Sequence, residues 1–330
     1  MAAIIHPSVD GLICAFRITP DRPPQAVGVE EIKAEPQREQ GFLWLHVNSS
    51  LETGRKLVRQ LPELPTNISE ELLDSSEQLH FCQTDRGCLL TLWDLHYESD
   101  PDRHQMSFLR VWFEPHRVIS VRRHPLKAID VIRRRIISGH RPDSSAALLI
   151  ELLEALANTF APVAARLSGD ADAVEDRLLA EHIDDLHGLL GSIRRRAVRL
   201  LRQIEPQQRL LARLQLRLPP WFDEDDRHRL AETIADIDEV TALIQSTQER
   251  AKAMQDELTA ILTEQTNQNL YILSVVSVII LPMALLSGMF GMNVGGIPGF
   301  EQPLGFLVVS GLISLVGVAA YVILKWRRWL

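Results

Sequence analysis

The side chains best placed to handle an ion in this chain are also its least reactive. Asn267, Leu270, Ser274, Ser277, Leu281, Ala284 and Gly288 fall within roughly a third of a helix circumference at about 100° per residue. Amides and hydroxyls offer oxygen lone pairs to water or to an ion's water shell. The 36 residues Gln265–Phe300 and the 23 residues Gln302–Leu324 contain no charged residue, histidine or cysteine. A dehydrated zinc ion takes His, Cys or carboxylate ligands, and a proton relay within a bilayer takes ionisable groups. An ion crossing beside these runs therefore keeps most of its water. Gly291-Met292-Asn293 closes the first run's helical stretch, and Glu301 is the only charge before the second run.

Each run is long enough to cross a membrane, since a hydrocarbon core takes roughly 20 apolar residues as a helix. The small residues of the first run also admit a plainer reading, because Gly, Ala and Ser let membrane helices pack closely. Pro282 is tolerated in such a helix. The second run carries Gly305, Gly311, Gly317, Ser310 and Ser314. Lys325-Trp326-Arg327-Arg328-Trp329 follows it, and positive charge beside a span favours the cytoplasmic side. With no signal-peptide layout over Met1–Asp10, both termini are expected inside and the loop between spans outside. Two helices cannot enclose a pore, so a channel would need several subunits.

The remaining 264 residues carry 32 basic and 42 acidic side chains. A body of that sign attracts cations and repels nucleic acid. Cys14, Cys82 and Cys88 are too few and of the wrong parity for a disulfide framework. No G-x-x-x-x-G-K-[ST] loop for a nucleotide is present, and no catalytic Ser/His/Asp or Cys/His constellation emerges. Neither a catalytic residue nor a cofactor is assigned, and a resident metal site is left open.

The pattern predicts an α+β membrane protein. Residues 1–126 form a cytosolic α/β domain and 127–222 a cytosolic helical domain. Residues 223–269 form a stalk helix that continues into the membrane as the first transmembrane helix, 270–290. Residues 291–303 are a periplasmic loop, 304–324 the second transmembrane helix, and 325–330 a cytosolic basic tail. Strands are expected at Gly11–Ile18, Phe42–Val47, Cys88–Tyr97, Met106–Glu114 and Arg117–Arg122, with helices at Ser50–Leu61 and Ile68–Leu79 and a mixed sheet. Three long helices follow, Ser144–Leu179, Ile183–Leu216 and Asp223–Phe290, with Asp223 as N-cap of the last. That last helix, if unbroken, has 68 residues and a length of about 100 Å at roughly 1.5 Å per residue. Leu230, Ile237, Ile244, Ala251 and Leu258 recur every seven residues along it, with Ile234 and Leu262 in support. The repeat predicts packing against another helix and offers a means of subunit association.

Other clusters have sharp and plain readings. His80, Cys82 and Cys88, with His96 nearby, suggest zinc, although cysteine is commonly an ordinary buried hydrophobe and the spacing is loose. His46 reads as a satisfied core histidine. Arg194-Arg195-Arg196, Arg199 and Arg202 could line a funnel, pair with acids on a neighbour or stay solvated, and interhelix pairing is the plainer reading. Asp236, Asp238 and Glu239 either concentrate cations or face solvent.

Tyr271–Leu286 with Pro282, then Gly288-Met289-Phe290-Gly291-Met292-Asn293, resembles the CorA-type divalent-cation transporters. Val294-Gly295-Gly296-Ile297-Pro298 is similar to their ZntB zinc-transporter branch, since magnesium-transporting relatives usually carry acids just after the tripeptide. Phe42–Asn48 and Ser120–Pro125 also look family-like. The resemblance implies a homopentamer in the bacterial inner membrane, with a funnel of long helices and an α/β cytosolic domain. It implies a pore lined by the first span, with Asn267, Leu281 and Ala284 on its wall. The mouth would be Gly291, Met292 and Asn293, with Glu301 drawing cations toward it. The cargo implied is Zn2+, with proton coupling as an open possibility. The alternatives are a Mg2+/Co2+/Ni2+ channel of the same family, or a membrane-anchored coiled-coil scaffold.

Overall fold

The structure is a computed structural model and describes residues 10–33, 41–76, 78–97, 105–180, 185–292 and 304–326. The chain divides into two compact units, Met1–Met254 and Gln255–Leu330.

The first unit is built on seven strands, β1 (Leu12–Thr19), β2 (Arg22–Ala26), β3 (Phe42–Asn48), β4 (Phe81–Gln83), β5 (Cys88–Leu95), β6 (Met106–Glu114) and β7 (Arg117–Arg122). They form one mixed sheet in the order β2-β1-β3-β7-β6-β5-β4. Only β3 and β7 run parallel, with Trp44 opposite Val118 and His46 opposite Ser120. Alternation then gives the sheet two apolar faces. Leu45, Val47, Ile119 and Val121 pack with Leu57, Val58, Ile68 and Leu72 of α2 (Glu52–Arg59) and α3 (Thr66–Leu73). Against the other side lie α4 (Lys127–Ile137), α5 (Ser145–Leu179) and α6 (Leu186–Leu216).

Two strands and one helix were not legible in the pattern. β2 reads Arg-Pro-Pro-Gln-Ala, and proline is confined to sheet edges because it cannot donate to the ladder. β4 has three residues and looks like connecting chain. The five-residue α1 (Val29–Lys33) is too short to show a period. The expected helix to Leu79 is instead α3, ending at Leu73: Asp74 leaves the helical region, and its carboxylate accepts from the Ser76 amide at 3.1 Å. That local turn competes successfully with a further helical turn.

Beyond Thr91, whose amide donates to the His80 carbonyl at 2.9 Å, the short β4 no longer covers the outer edge of β5. Gln207 of α6, fully buried one residue after Pro206, accepts there from the Trp93 amide at 2.5 Å. Asp94 does the same work for α4, accepting from the Ala128 amide at 3.0 Å and the Ile129 amide at 3.4 Å. It caps a helix whose own N-cap residue, Leu126, offers no side-chain bond.

His46 is 1% exposed and fully engaged. Arg122 Nε donates to its Nε2 at 3.0 Å, so Nδ1 carries the proton and donates to Ser120 Oγ at 2.8 Å. Ser120 Oγ also accepts from Trp44 Nε1 at 2.9 Å and donates to the Leu45 carbonyl at 3.1 Å. Burial first, then the nearby Arg122 charge, holds the imidazole well below its ordinary pKa. The core histidine expected from sequence is what the sheet contains.

α5, α6 and α7 (Glu224–Phe290) pack as long helices, and their polar pairs give the directions. Arg229 and Arg250 of α7 reach Glu154 and Asp172 of α5, at 3.1 and 2.6 Å, in ascending order on both. Gln208 and Gln245 meet Asp238 and Glu205 in opposite order, at 2.6 and 3.1 Å. α7 is therefore parallel to α5 and antiparallel to α6. Asp223 caps α7, accepting from the Asp226 amide at 2.7 Å. Leu230, Ile234, Ile237, Ile244 and Ala251 are all buried within this single chain. That corrects the idea that the heptads provide subunit association, because the stripe is already used inside the subunit. Leu262, expected to extend it, is 41% exposed.

The histidine network predicts a pH-dependent stability difference. The unfolded imidazole binds a proton near its ordinary value of 6.5 and the folded one does not, so its contribution is lost as pH falls below that value, by about 1.4 kcal/mol per unit. Asp94, whose carboxyl burial pushes up to about 7, titrates with the opposite sign in the same window and is common to both proteins compared. His46→Gln should therefore destabilise clearly at pH 7.5, with the gap in thermal midpoint narrowing by pH 5. A gap constant with pH would mean that His46 titrates alike in the folded and unfolded chain, and a gap widening toward pH 5 that it is protonated in the fold.

Candidate functional site

Among the described residues three helices are long and apolar enough to cross a membrane, and burial separates them. The apolar window of α5 is 67% buried inside the protein, whereas those of α7 and α8 (Gly305–Trp326) are each 6% buried. α5 is a core helix of the first unit. The other two expose Leu281, Leu285, Phe306 and Val308 at 64–81%, which water would not permit and lipid would.

α8 meets α7 through Gly317. A Cβ built there would lie 2.8 Å from Met283 Sδ, so the missing side chain is what lets Met283 settle onto α8. Along α8 the half-buried positions are Gly305, Val309, Ser310, Ile313, Val316, Gly317 and Ala320, and with the buried Leu324 they form one face of the helix. From Leu270 to Phe290 on α7, the half-buried positions are Val275, Ile279, Pro282, Met283, Leu286 and Phe290. At about 100° per residue these six occupy an arc of roughly 100° that has Met283 at one edge.

The seven residues of the polar and small stripe lie elsewhere. Asn267, Leu270, Ser274, Ser277, Leu281, Ala284 and Gly288 fall roughly 100–200° from Met283, and every one is exposed. Leu281 is exposed to 72%, more than any other large hydrophobic side chain of α7, and a Cβ at Gly288 would meet nothing within 4 Å. The stripe thus lies within the larger part of α7 that α8 leaves uncovered, which also includes Leu273, Ile280 and Leu285.

Its hydroxyls are oriented. Ser274 Oγ donates to the Leu270 carbonyl at 2.8 Å and Ser277 Oγ to the Leu273 carbonyl at 2.7 Å. Each proton is committed to the helix, so each oxygen turns its lone pairs outward. Thr259, Thr263 and Thr266 do likewise with the Gln255, Thr259 and Leu262 carbonyls, at 2.8, 2.7 and 2.8 Å. They fall on the same 100–200° arc and extend the stripe by two turns toward the N-terminus of α7. The stripe expected from sequence begins at Asn267 and leaves them out; their period with Ser274 and Ser277 was the available signal.

Gly291 and Met292 follow directly after α7, and the Gly291 amide donates to the Ser287 carbonyl at 2.9 Å. Asn293, the Val294–Pro298 continuation and Glu301 lie outside the described residues, as do Arg327 and Arg328. Among the described residues no three His, Cys, Asp or Glu side chains are grouped to hold a metal. Cys82 pairs across the ladder with Leu89 and Gln83 with Cys88. Cys88 is fully buried, and that burial pushes its thiol up to about 12, which suits a core side chain. His80 instead lies 3.8 Å from Glu71. Of the arginine run, Arg196 donates to Asp170 of α5 at 2.6 Å, the interhelix pairing expected.

A mixed-sheet domain joined to long helices, with two lipid-facing helices at the C-terminal end, defines a class of α+β membrane proteins. Residues 39–328 match the family model described as CorA-like Mg2+ transporter protein, and the chain belongs to that family. It is 30% identical over 288 residues to the zinc transport protein ZntB of Pectobacterium carotovorum subsp. carotovorum (strain PC1), covering 87% of this chain and 88% of that one. Against the ZntB of Yersinia enterocolitica serotype O:8 the identity is 26% over 289 residues, with the same shares of the two chains. Among solved structures, the full-length CmaX protein matches with a TM-score of 0.80 and 25% identity over 97% of this chain and 98% of that one. The complete CorA magnesium transporter of Methanocaldococcus jannaschii shares the fold at a TM-score of 0.77 and 15% identity, over 96% and 99% of the two chains.

The α7–α8 contact is testable by size. Gly317→Leu should destabilise the detergent-solubilised protein by about 1–3 kcal/mol, the usual cost of overpacking. Met283→Ala in the same chain should recover part of that loss. Additive effects of the two substitutions, measured by thermal denaturation, would mean that the residues do not touch.

Proposed function

We propose that this protein is a homopentamer that moves hydrated divalent cations, Zn2+ foremost, across the bacterial inner membrane. The path is walled by the exposed stripe of α7 from each subunit. The observation that carries this reading is the division of α7 into a face covered by α8 and an opposite face of outward-turned hydroxyl oxygens. A membrane helix has no reason to show such oxygens to lipid, whereas a water-filled axis rewards them. The stripe holds no ionisable group, which supports passage with the hydration shell largely retained. Leu281 forms a hydrophobic constriction, because a ring of leucines resists wetting.

Gly291, Met292 and Asn293 form the periplasmic mouth, where the Asn293 amide hydrogen-bonds the ion's water without binding the ion so tightly that it cannot leave. Glu301, repeated once per subunit, draws cations toward that mouth. Both termini are cytoplasmic, with Lys325, Arg327 and Arg328 on the inner side. The cargo apart, no cofactor takes part. Family membership favours transport over a scaffold role, and the curated relatives' name, zinc transport protein, supports Zn2+. The family description, which names Mg2+, favours the second reading of a magnesium channel.

Purified protein in proteoliposomes separates these readings. Zn2+ uptake should exceed Mg2+ uptake, and a dependence of Zn2+ flux on an imposed pH gradient would establish proton coupling. Asn293→Ala should lose most of the flux while the oligomer still assembles, and Leu281→Ser should raise ion leak. Mg2+ flux alone would select the magnesium channel. Full activity in the Asn293 variant, or a monomer under transporting conditions, would overturn the pore.

A further inference from the structure

His96 lies at the opposite end of β5 from Cys88, so the fold parts it from the cysteines and sets it against His124. The two imidazole centres are 4.9 Å apart, with planes 24° from parallel. Backbone bonds fix where each residue stands. The His96 amide donates to the Gln105 carbonyl at 2.8 Å, and the Tyr97 amide to the Pro125 carbonyl at 2.9 Å. A bridge from His96 to Leu126 continues the same pairing. His124 stands two residues past β7, and α4 begins three residues later at Lys127. The pair therefore sits where β5, β7 and α4 meet, beside the end of α4 that Asp94 caps.

The backbones are held, but the rings have only each other. His96 Nε2 is buried and has no hydrogen-bond partner. Among the described residues no side chain or carbonyl bonds the His124 ring, which is exposed. A buried nitrogen left unmatched is unfavourable, and such groups concentrate where a protein has work for them. A neutral imidazole carries one in-plane lone pair and is the commonest metal-ligating side chain. Two imidazoles on one tetrahedral zinc ion, each nitrogen at about 2.0–2.1 Å, have ring centres about 5 Å apart. The observed separation matches that distance. A turn of the exposed His124 ring aims its lone pair at the point that His96 Nε2 already faces.

Among the described residues no third His, Cys, Asp or Glu joins the two rings, so an ion held there keeps water in its remaining positions. Such an open site exchanges its metal, unlike the closed four-ligand sites that hold a fold together. Imidazole nitrogen suits Zn2+, Ni2+ and Cu2+, whereas Mg2+ takes oxygen. The stripe of α7 presents oxygens only, so the pair supplies a discrimination by ligand type that the stripe lacks. We propose that His96 and His124 form a reversible binding site for a divalent transition-metal ion such as Zn2+. An ion bound there clamps the ends of β5 and β7 together at the start of α4. The site is separate from the ion path and does not depend on which cation is carried.

The test uses full-length protein in nanodiscs of zwitterionic lipid, titrated calorimetrically with Zn2+ in the presence of excess Mg2+ to fill oxygen sites. One class of Zn2+ binding should survive the Mg2+. His96→Gln and His124→Gln should each weaken that class at least about tenfold, equivalent to roughly 1.4 kcal/mol. The double variant should lose little more than either single one, because one imidazole alone chelates nothing. His187→Gln, which alters an exposed histidine of α6, should bind as the unaltered protein does. Cu2+ serves as a spectroscopic probe of the same site: its electron paramagnetic resonance should show hyperfine coupling to two nitrogens, and to one in each single variant. Displacement of all Zn2+ by Mg2+ would overturn the proposal, as would equal weakening in the His187 variant. Unchanged Zn2+ binding and an unchanged copper spectrum in His124→Gln would also overturn it, and that exposed position decides the matter even if His96→Gln fails to fold.

Discussion

A helix in hydrocarbon satisfies its own backbone and has only side chains left to give to function. What the membrane portion of α7 can do is therefore decided by which of its faces α8 covers. Gly317 settles that question locally: its missing side chain admits Met283, and the half-buried residues of α7 gather on Met283's side. The hydroxyls of Ser274 and Ser277, bonded back to their own helix, are left on the other side. One close contact between two helices thus orients the whole stripe.

The body obeys a similar economy, with each strong sequence signal used once. The heptads of α7 are spent on packing within the subunit, where Leu230, Ile237 and Ile244 are at most 1% exposed. Ion pairs between α7 and its neighbours, such as Arg250 with Asp172, are half-exposed and each contributes little, typically under about 1 kcal/mol. They serve as register marks along helices held by apolar burial. In the sheet, His46, Ser120, Trp44 and Arg122 form a closed set of donors and acceptors, the condition under which buried polar groups are tolerated.

Much of this was legible before the structure. β6 and β7 follow the alternation of Met106–Glu114 and Arg117–Arg122 residue for residue, because strands buried in the middle of a sheet must keep strict apolar faces. The edge strands β2 and β4 escaped, since an edge may carry prolines or only three residues. The stripe from Asn267 to Gly288 was visible as periodicity, but its orientation was not: a helical wheel has no origin until a contact such as Met283 with Gly317 supplies one. Thr259, Thr263 and Thr266 share its arc but precede Asn267, where the stripe expected from sequence began, and Glu264 lies off that arc. The arginine run pointed to an acid on another helix, but that the acid is Asp170 of α5 needed the two helices brought side by side.

The central claim, that the α8-free face of α7 lines an aqueous path, is tested most directly by substituted-cysteine accessibility. Single cysteines from Asn267 to Gly288, introduced in a protein lacking Cys14, Cys82 and Cys88, would be probed in intact membranes with a membrane-impermeant thiol reagent. Reaction should peak at Asn267, Leu270, Ser274, Ser277, Leu281, Ala284 and Gly288 and fall to background at Val275, Ile279 and Leu286. Reaction peaking at Val275, Ile279 and Leu286, or no water-accessible face at all, would contradict the account.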